Sequence, residues 1–407
     1  MKYALLIGDG MGDWPIEELG GRTPLEAAHT PNLDFMAENG TLGLARTVPS
    51  GMTPGSDVAI MSLMGFNPQG VLSGRAPLEA ASLGVETAPD ELVFRLNLVT
   101  VEQDGSKVMM RNHAAGNIST IEAAELINTL KEKLSLPEGQ RLFPGVSYRH
   151  LLTWPAPAPG ELPSLPPHDY RDKDITALLD EPGSKPIMDL VRASWPILKD
   201  HPVNLKRREK NLAEANSIWL WGQGLRPKVK TYRERWGLTG ATVSAVDLIK
   251  GLGLVTGLSA IEVPGATGWI DTNYEGKVQA ALAALKEMDF VVIHLEAPDE
   301  ASHQGELDSK LKAISDFDAR VVGPMLKALP SFGQFRVLAA CDHFTPLELK
   351  THTAEPIPFV IYGQPSLERQ AGGLTYTEKN AASTGLLVDP GADLSRLLFG
   401  SEKNENN

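Results

Sequence analysis

The sequence is poor in features that would place it in several common functional classes, and cysteine is the scarcest. One cysteine, Cys341, stands among 407 residues, so no intramolecular disulfide can form, and this usage fits a reducing cytoplasm. No apolar run reaches the ~18–20 residues that a membrane span needs. The formal net charge of −13 argues against nucleic acid and anionic membranes as partners. An anionic substrate stays possible, because bound divalent cations would reverse the charge locally.

Two nucleotide-binding signatures are also missing. No G-x-x-x-x-G-K-[ST] sequence occurs, which excludes the P-loop kinases. The run Gly8–Asp13 follows an apolar stretch and superficially resembles a dinucleotide fingerprint. The G-x-G-x-x-G spacing fails, however, because its last position is Asp13.

Short apolar runs that end abruptly in charged residues indicate the fold class. They are Tyr3–Ile7, Phe290–Leu295 and Val337–Ala340, and each is typical of a buried parallel strand. Helical patterns such as Glu275–Met288 and Ser309–Leu329 lie between them. We therefore predict an α/β protein with a mainly parallel central sheet flanked by helices. Such sheets bind ligands at the carboxyl ends of their strands.

The middle of the chain breaks this alternation. Strands are predicted at Glu91–Val101 and Gly145–Trp154, with an amphipathic helix at Ile118–Leu134 between them. This pattern favours an inserted α+β domain within the core. The polar C-terminal tail is predicted to be disordered. The predicted domains are a discontinuous core of residues 1–71 and 241–400, an insertion of residues 72–240 and a tail of residues 401–407.

Carboxylates and imidazoles collect directly after the predicted strands. Asp299 and His303 are four residues apart, so they can lie on one face of a helical turn and bind one metal ion. Any single residue of this kind is more often a surface group or a cap, but the repetition at several strand ends predicts a metal centre. This ligand mixture suits Mn²⁺ or Zn²⁺ better than Ca²⁺. The candidate ligands are Asp9, Asp299, His303, Asp342, His343 and His352.

Ser56 stands in a Gly/Pro-rich loop that opens a predicted helix at Val58–Met64. A serine at a helix start is ordinarily an N-cap, which is the simpler interpretation. The functional alternative is a nucleophile whose hydroxyl is deprotonated by metal coordination. A helix N-terminus would also favour a phosphate group there.

Taken together, these residues occur in the order used by the alkaline-phosphatase superfamily. The chain resembles its cofactor-independent phosphoglycerate mutases of the archaeal type, almost from end to end. Further runs carry the resemblance beyond the candidate ligands. They are Leu19–Glu26, Thr30–Leu33, Gly55–Asp57, Gly74–Glu79, Pro264–Tyr274 and Thr351–Thr353.

The resemblance implies an enzyme that interconverts 2-phosphoglycerate and 3-phosphoglycerate, a reaction of glycolysis and gluconeogenesis, through a phosphoserine at Ser56. It implies two divalent metal ions per chain, with Mn²⁺ favoured and Zn²⁺, Co²⁺ or Mg²⁺ as alternatives. The partner would be a small phosphorylated metabolite, and the oligomeric state is not indicated. The implied ligand sets are Asp299, His303 and His352 for one ion, and Asp9, Ser56, Asp342 and His343 for the other.

A mutase must exclude water, and the resemblance implies that the inserted domain acts as its lid. Cationic side chains would then hold the substrate's carboxylate and phosphate. Each candidate is about as readily explained as a solvated surface charge. The candidates are Arg75, Arg95, Arg149, Arg207 and Lys250.

Two departures from the archaeal pattern keep other substrates open. Ala115–Ile118 reads Ala-Gly-Asn-Ile where the family tends to have Ala-Gly-Arg-Ile. Leu220–Gly224 reads Leu-Trp-Gly-Gln-Gly where the family tends to have Leu-Arg-Gly-Ala-Gly. The run Asn216–Gly224 resembles a bacterial branch for which a homoserine kinase role in threonine biosynthesis has been proposed. Homoserine kinase and phosphatase activities are therefore the alternatives to a mutase.

Overall fold

The computed structural model describes residues 1–156, 162–364, 373–400 and 402. The chain forms two compact units, the first from residues 1–71 and 229–407 and the second from Leu72–Lys228. The second unit thus ends before the predicted boundary at residue 240. The reason is that Tyr232 is buried in the first unit, where its hydroxyl donates to the Met64 carbonyl at 2.6 Å.

The strands are spread over both units. They are β1 Lys2–Gly8, β2 Thr41–Ala45, β3 Leu92–Asp104, β4 Lys107–Asn112, β5 Arg141–Phe143, β6 Arg149–Trp154, β7 Lys173–Asp174, β8 Ser217–Gly224, β9 Gly240–Val243, β10 Ser259–Ile261, β11 Phe290–Leu295, β12 Phe335–Ala340, β13 Ile357–Gln364 and β14 Leu387–Val388.

The α-helices follow the same division between the units. They are α1 Pro24–Ala27, α2 Pro31–Asn39, α3 Ser56–Leu63, α4 Ala76–Ser82, α5 Thr120–Lys133, α6 Thr176–Leu179, α7 Lys185–Leu198, α8 Pro202–Glu209, α9 Tyr232–Arg235, α10 Asp247–Val255, α11 Tyr274–Glu287, α12 Ala297–Gln304, α13 Leu307–Phe317, α14 Gly323–Ala328, α15 Glu378–Ser383 and α16 Leu394–Phe399.

The first unit is built on a mainly parallel sheet, as predicted. Its strand order within the described residues is β10-β9-β11-β1-β12-β13-β2-β14, and only the pairings of β13 are antiparallel. Every residue of β11 is buried, and so is β1 after its first residue. Continuous apolar strands of this kind need helices on both faces, which explains their lack of alternation.

The strands β11, β1 and β12 lie side by side and end at the same level. Gly8 of β1 pairs with Leu295 of β11, and Ile7 pairs with Ala340 of β12. The segments that follow these three strands therefore leave the sheet next to one another. This register places the predicted metal-binding segments at one edge.

The second unit is an antiparallel sheet with helices packed on it. Within the described residues its order is β5-β6-β3-β4-β7, and β8 pairs with the other edge of β3. Its buried core includes Phe94, Leu126, Val191 and Trp219, which come from β3, α5, α7 and β8. This unit therefore has a hydrophobic core of its own.

Of the tail predicted to be disordered, residues 401–407, only Glu402 lies among the described residues. Its carboxylate pairs with the guanidinium of Arg235. None of the helices in the described part of the chain combines the length and the apolar character needed to cross a membrane.

Candidate metal centre

The first unit brings the predicted metal ligands into one cluster at the carboxyl ends of β11, β1 and β12. Asp9 follows β1, Asp342 and His343 follow β12, and Asp299 with His303 lies on α12 just after β11. Asp342 and His343 are fully buried, and Asp9 is 1% exposed. The remaining two, Ser56 and His352, come from the start of α3 and from the loop before β13.

One group of donors contains Asp9, Asp342 and His343. Each offers an atom within 4.8 Å of the other two. His343 Nε2 lies 3.2 Å from Asp342 Oδ2 and 3.5 Å from Asp9 Oδ1. Ser56 Oγ lies 3.3 Å from the same nitrogen. All four residues of one implied ligand set thus face a common point.

The other group contains Asp299 and His352, again with His343 within 4.8 Å. His303 was predicted here too, and its Nε2 lies 3.1 Å from Asp299 Oδ2 and 3.0 Å from His352 Nε2. Its Nδ1 faces the Lys350 carbonyl at 2.9 Å. That carbonyl can only accept, so Nδ1 carries a proton. Nε2 is therefore the nitrogen that would bind a metal ion, after it gives up the proton that it donates to Asp299.

Unsatisfied buried atoms show that these residues fit metal ions. Asp9 Oδ1 and Asp342 Oδ2 are buried with no hydrogen-bond partner among the described residues. Burial, followed by the charges of Asp342 and Asp299, raises the pKa of Asp9 well above its ordinary value. Buried acceptors without donors and adjacent buried carboxylates are both costly. A divalent cation would remove both costs, and the carboxylate–imidazole donor set is suited to one.

The two ends of the cluster differ in charge. Burial alone would raise the pKa of Asp299, but hydrogen bonds from His303 and His352 outweigh it and hold this pKa well below its ordinary value. The same contact with Asp299 raises the pKa of His303 to about 9. Imidazoles therefore balance the carboxylate at this end, whereas at the other end the two buried carboxylates of Asp9 and Asp342 repel each other and the pKa of Asp9 is raised.

The structure contradicts the interpretation of Ser56 as an N-cap. Gly55 is the N-cap residue of α3 and Ser56 is the first helical residue, and no side-chain cap hydrogen bond is present. The hydroxyl of Ser56 is instead directed at His343 Nε2. Its position is thus explained by the cluster and not by helix capping.

His294 was missed in the sequence analysis although it lies inside a fully buried strand. Its Nε2 lies 2.8 Å from Asp9 Oδ2, and its Nδ1 lies 3.0 Å from Ser244 Oγ. Burial lowers the pKa of His294 to about 3, so the ring is neutral near pH 7. When Asp9 is ionised, as a metal-bound carboxylate would be, the ring donates to Asp9 and accepts from Ser244, which orients the Asp9 carboxylate. A polar residue inside an otherwise apolar strand was the available signal.

Gly10 was also missed, because its motif was considered only as a nucleotide fingerprint. Its φ is +61°, and a Cβ atom there would lie 2.6 Å from both Asp299 Oδ1 and Thr345 Oγ1. Its N–H donates to Asp342 Oδ1 at 3.0 Å. Glycine is thus required so that the backbone can approach the ligands closely.

Arg207, one of the predicted substrate residues, has a structural role in the second unit. It is 4% exposed, and its guanidinium donates to the Ala213 and Ala115 carbonyls at 2.8 and 2.9 Å. It also pairs with Glu122 at 2.8 Å. These contacts use all three guanidinium nitrogens, so the side chain serves to hold the fold of this unit.

Other predicted substrate residues also have protein partners. Arg95 pairs with Glu79 at 2.9 Å and stacks on the ring of Trp221 at 4.2 Å. Lys250, in the first unit, pairs with Glu262 at 2.7 Å. The remaining two are Arg75, the N-cap residue of α4, and Arg149, which is exposed at the start of β6.

Comparisons with known proteins agree on one family. A family described as 2,3-bisphosphoglycerate-independent phosphoglycerate mutase matches residues 37–204. A Geobacter sulfurreducens protein described as a probable enzyme of this name is 49% identical over 98% of this chain and all of its own length. The Methanosarcina acetivorans enzyme is 50% identical over 95% of this chain and 96% of its own length.

Solved structures share the fold of this chain. A protein of Pyrococcus horikoshii superposes with a TM-score of 0.79 at 29% identity, covering 98% of this chain and 96% of its own. The cofactor-independent phosphoglycerate mutase of Thermoplasma acidophilum gives a TM-score of 0.65 at 25% identity, covering 98% and 99%.

Proposed function

The chain belongs to the family of 2,3-bisphosphoglycerate-independent phosphoglycerate mutases, and from this membership we propose that it interconverts 2- and 3-phosphoglycerate through a phosphoserine at Ser56. The observation that carries the proposal is the position of Ser56 Oγ, 3.3 Å from His343 Nε2 within a cluster of buried carboxylates and imidazoles. The names of the relatives favour this activity over the homoserine kinase and phosphatase alternatives.

In this proposal the cluster holds two divalent ions, with Mn²⁺ favoured by the mixed oxygen and nitrogen donors. When bound, the ions would stabilise charge on the phosphoryl oxygens and on the serine oxygen. The ligands are Asp299, His303 and His352 for one ion, and Asp9, Ser56, Asp342 and His343 for the other. His294 supports them by holding the Asp9 carboxylate in place.

Ser56 acts as the acceptor and then the donor of the phosphoryl group. Its oxygen gives up its proton and forms a bond to phosphorus as the bond between phosphorus and the glycerate oxygen breaks, and that oxygen takes up a proton and leaves as a hydroxyl. The glycerate turns over, and its other hydroxyl gives up its proton and attacks the phosphoserine, so that the Ser56 oxygen leaves phosphorus and regains a proton. Because Ser56 is the first residue of α3, the amide groups of the first helical turn favour an anion beside it.

Water would hydrolyse the phosphoserine, so the intermediate must be shielded while the glycerate turns. We assign this shielding to the second unit, residues 72–228, as the inserted lid of the enzyme. The single cysteine, which is buried, supports a cytoplasmic location for this metabolic enzyme.

The proposal is tested with the purified chain and Mn²⁺ in three parallel assays. We expect 3-phosphoglycerate to be converted to 2-phosphoglycerate with little release of inorganic phosphate, and no ATP-dependent phosphorylation of homoserine. Rapid release of phosphate without isomerisation would instead indicate a phosphatase. Phosphorylation of homoserine without isomerisation would replace the mutase assignment with the kinase.

A further inference from the structure

Thr345 lies in the loop after β12 and contacts both groups of metal ligands. Its side chain is fully buried. Its Oγ1 lies 2.6 Å from Asp299 Oδ1 and 3.2 Å from His343 Nδ1. One hydroxyl therefore touches a ligand from each implied set.

The directions of these two hydrogen bonds follow from which of the three groups carries a proton. A hydroxyl has a single proton, and an ionised carboxylate can only accept, so Thr345 donates to Asp299. The contact with His343 must then run the other way, with Nδ1–H donating to Oγ1. A neutral imidazole protonated at Nδ1 has its lone pair on Nε2, the atom that faces Asp9, Ser56 and Asp342.

The loop that carries Thr345 is fixed by a buried ion pair. Lys310 of α13 is fully buried, and its Nζ lies 2.7 Å from Asp13 Oδ2 and 3.0 Å from the Thr345 carbonyl. The Thr345 N–H donates to the Gly12 carbonyl at 3.1 Å. A buried lysine without its partner is strongly destabilising, so this arrangement resists displacement. The carbonyl and the N–H of Thr345 are both bonded, and this fixes the position of its hydroxyl.

We propose that Thr345 is a positioning residue that couples the two metal sites, because it selects the Nε2-ligating tautomer of His343 and fixes the carboxylate of Asp299. This inference rests on the proposed function, since it requires that the cluster binds metal ions. Losing the hydroxyl should weaken both sites together, although Thr345 itself is a ligand of neither.

Calorimetric titration of the metal-free full chain with Mn²⁺ tests the proposal. We expect Thr345→Val, which keeps the side-chain shape, to weaken both binding steps by roughly 10–100-fold. Thr345→Ser, which keeps the hydroxyl, should restore both steps to within about threefold. Thr242→Val is the matched control, because Thr242 Oγ1 is buried in β9, next to β11, with no hydrogen-bond partner among the described residues. It should leave both steps unchanged.

Thr345→Val that binds both ions within about threefold of wild type would overturn the proposal, as would weakening of one step alone. NMR of the Zn²⁺-loaded wild type gives a test that needs no variant. His343 should show a protonated, slowly exchanging Nδ1 and a metal-bound Nε2, and the reverse assignment would overturn the proposal. If the wild type binds no divalent ion, the proposed function itself is refuted. The outcomes above refute only the role of Thr345 and leave the proposed function intact.

Discussion

Replacing Ser56 with alanine separates covalent catalysis from a merely structural role for this residue. The substitution removes one partly buried hydroxyl whose contact is His343 Nε2 at 3.3 Å. A single neutral hydrogen bond contributes about 0.5–1.5 kcal/mol, so the protein should stay folded. The phosphoryl group would have no carrier between the two half-reactions, so we expect kcat to fall by at least ~10⁴-fold, which corresponds to about 5.5 kcal/mol.

Ser62→Ala is a matched control on the same helix. Ser62 is buried, and its Oγ donates to the Thr47 carbonyl at 2.6 Å. This variant should lose about 1 kcal/mol of unfolding free energy and keep kcat within about threefold. The assays are isomerisation of 3-phosphoglycerate, urea denaturation, and acid quenching with labelled substrate to trap phosphoserine. A Ser56→Ala enzyme that keeps more than about a tenth of its rate would refute covalent catalysis, because a tenfold loss is only ~1.4 kcal/mol.

Three further predictions concern metal content and pH. Asp299→Ala and Asp342→Ala should each abolish activity in folded protein, and elemental analysis should find two divalent ions in the active wild type and fewer in both variants. Burial lowers the pKa of His150 to about 3, so the unfolded chain binds more protons below pH 6.5; urea denaturation should show about 2 kcal/mol less stability from this residue at pH 5 than at pH 7.5, and His150→Leu should remove that loss. Burial raises the pKa of Glu378 to about 7. The contribution of Glu378 to the free energy of unfolding is therefore complete below pH 4.5 and is lost as the pH rises to 7. As the pH rises over that range, the free energy of unfolding of Glu378→Gln should increase relative to that of the wild type, by at most about 3 kcal/mol. A difference between the two proteins that stays constant with pH would contradict this.

Sequence patterns predicted most residues of the carboxylate–imidazole cluster because these residues follow strands that are recognisable one at a time. The strand Phe290–Leu295 is found with its predicted bounds, since a mainly apolar run between charged residues has little freedom in its ends. Parallel strands place their carboxyl ends at one edge of the sheet, which predicts that the residues following them lie close together. Predicting the ligands needed only these local signals and the chemistry of each residue type.

Tertiary contacts limit what periodicity can predict. The pattern Ser309–Leu329 predicts one helix, but α13 ends at Phe317 and a π-helical segment, Asp318–Val322, follows it. The carboxylate of Asp318 accepts hydrogen bonds from the backbone N–H groups of Asn32 and Leu33 at the start of α2. This partner lies far away in the sequence, so no local pattern indicates that the helix must widen there.

Charged residues also show that a sequence does not reveal which partner a side chain has in the fold. Arg207 was predicted to contact substrate, yet its guanidinium donates to two carbonyls and a carboxylate inside the second unit. Lys310 and Asp13 attracted no functional prediction, yet they form a buried pair that fixes the loop beside two candidate metal ligands. A charge in the sequence shows that a side chain needs a partner or water, but not which of these it has. The partner of Lys310 is Asp13, which is 297 residues away in the sequence. The role of Lys310 could therefore be inferred only from the structure, which shows that its side chain is buried.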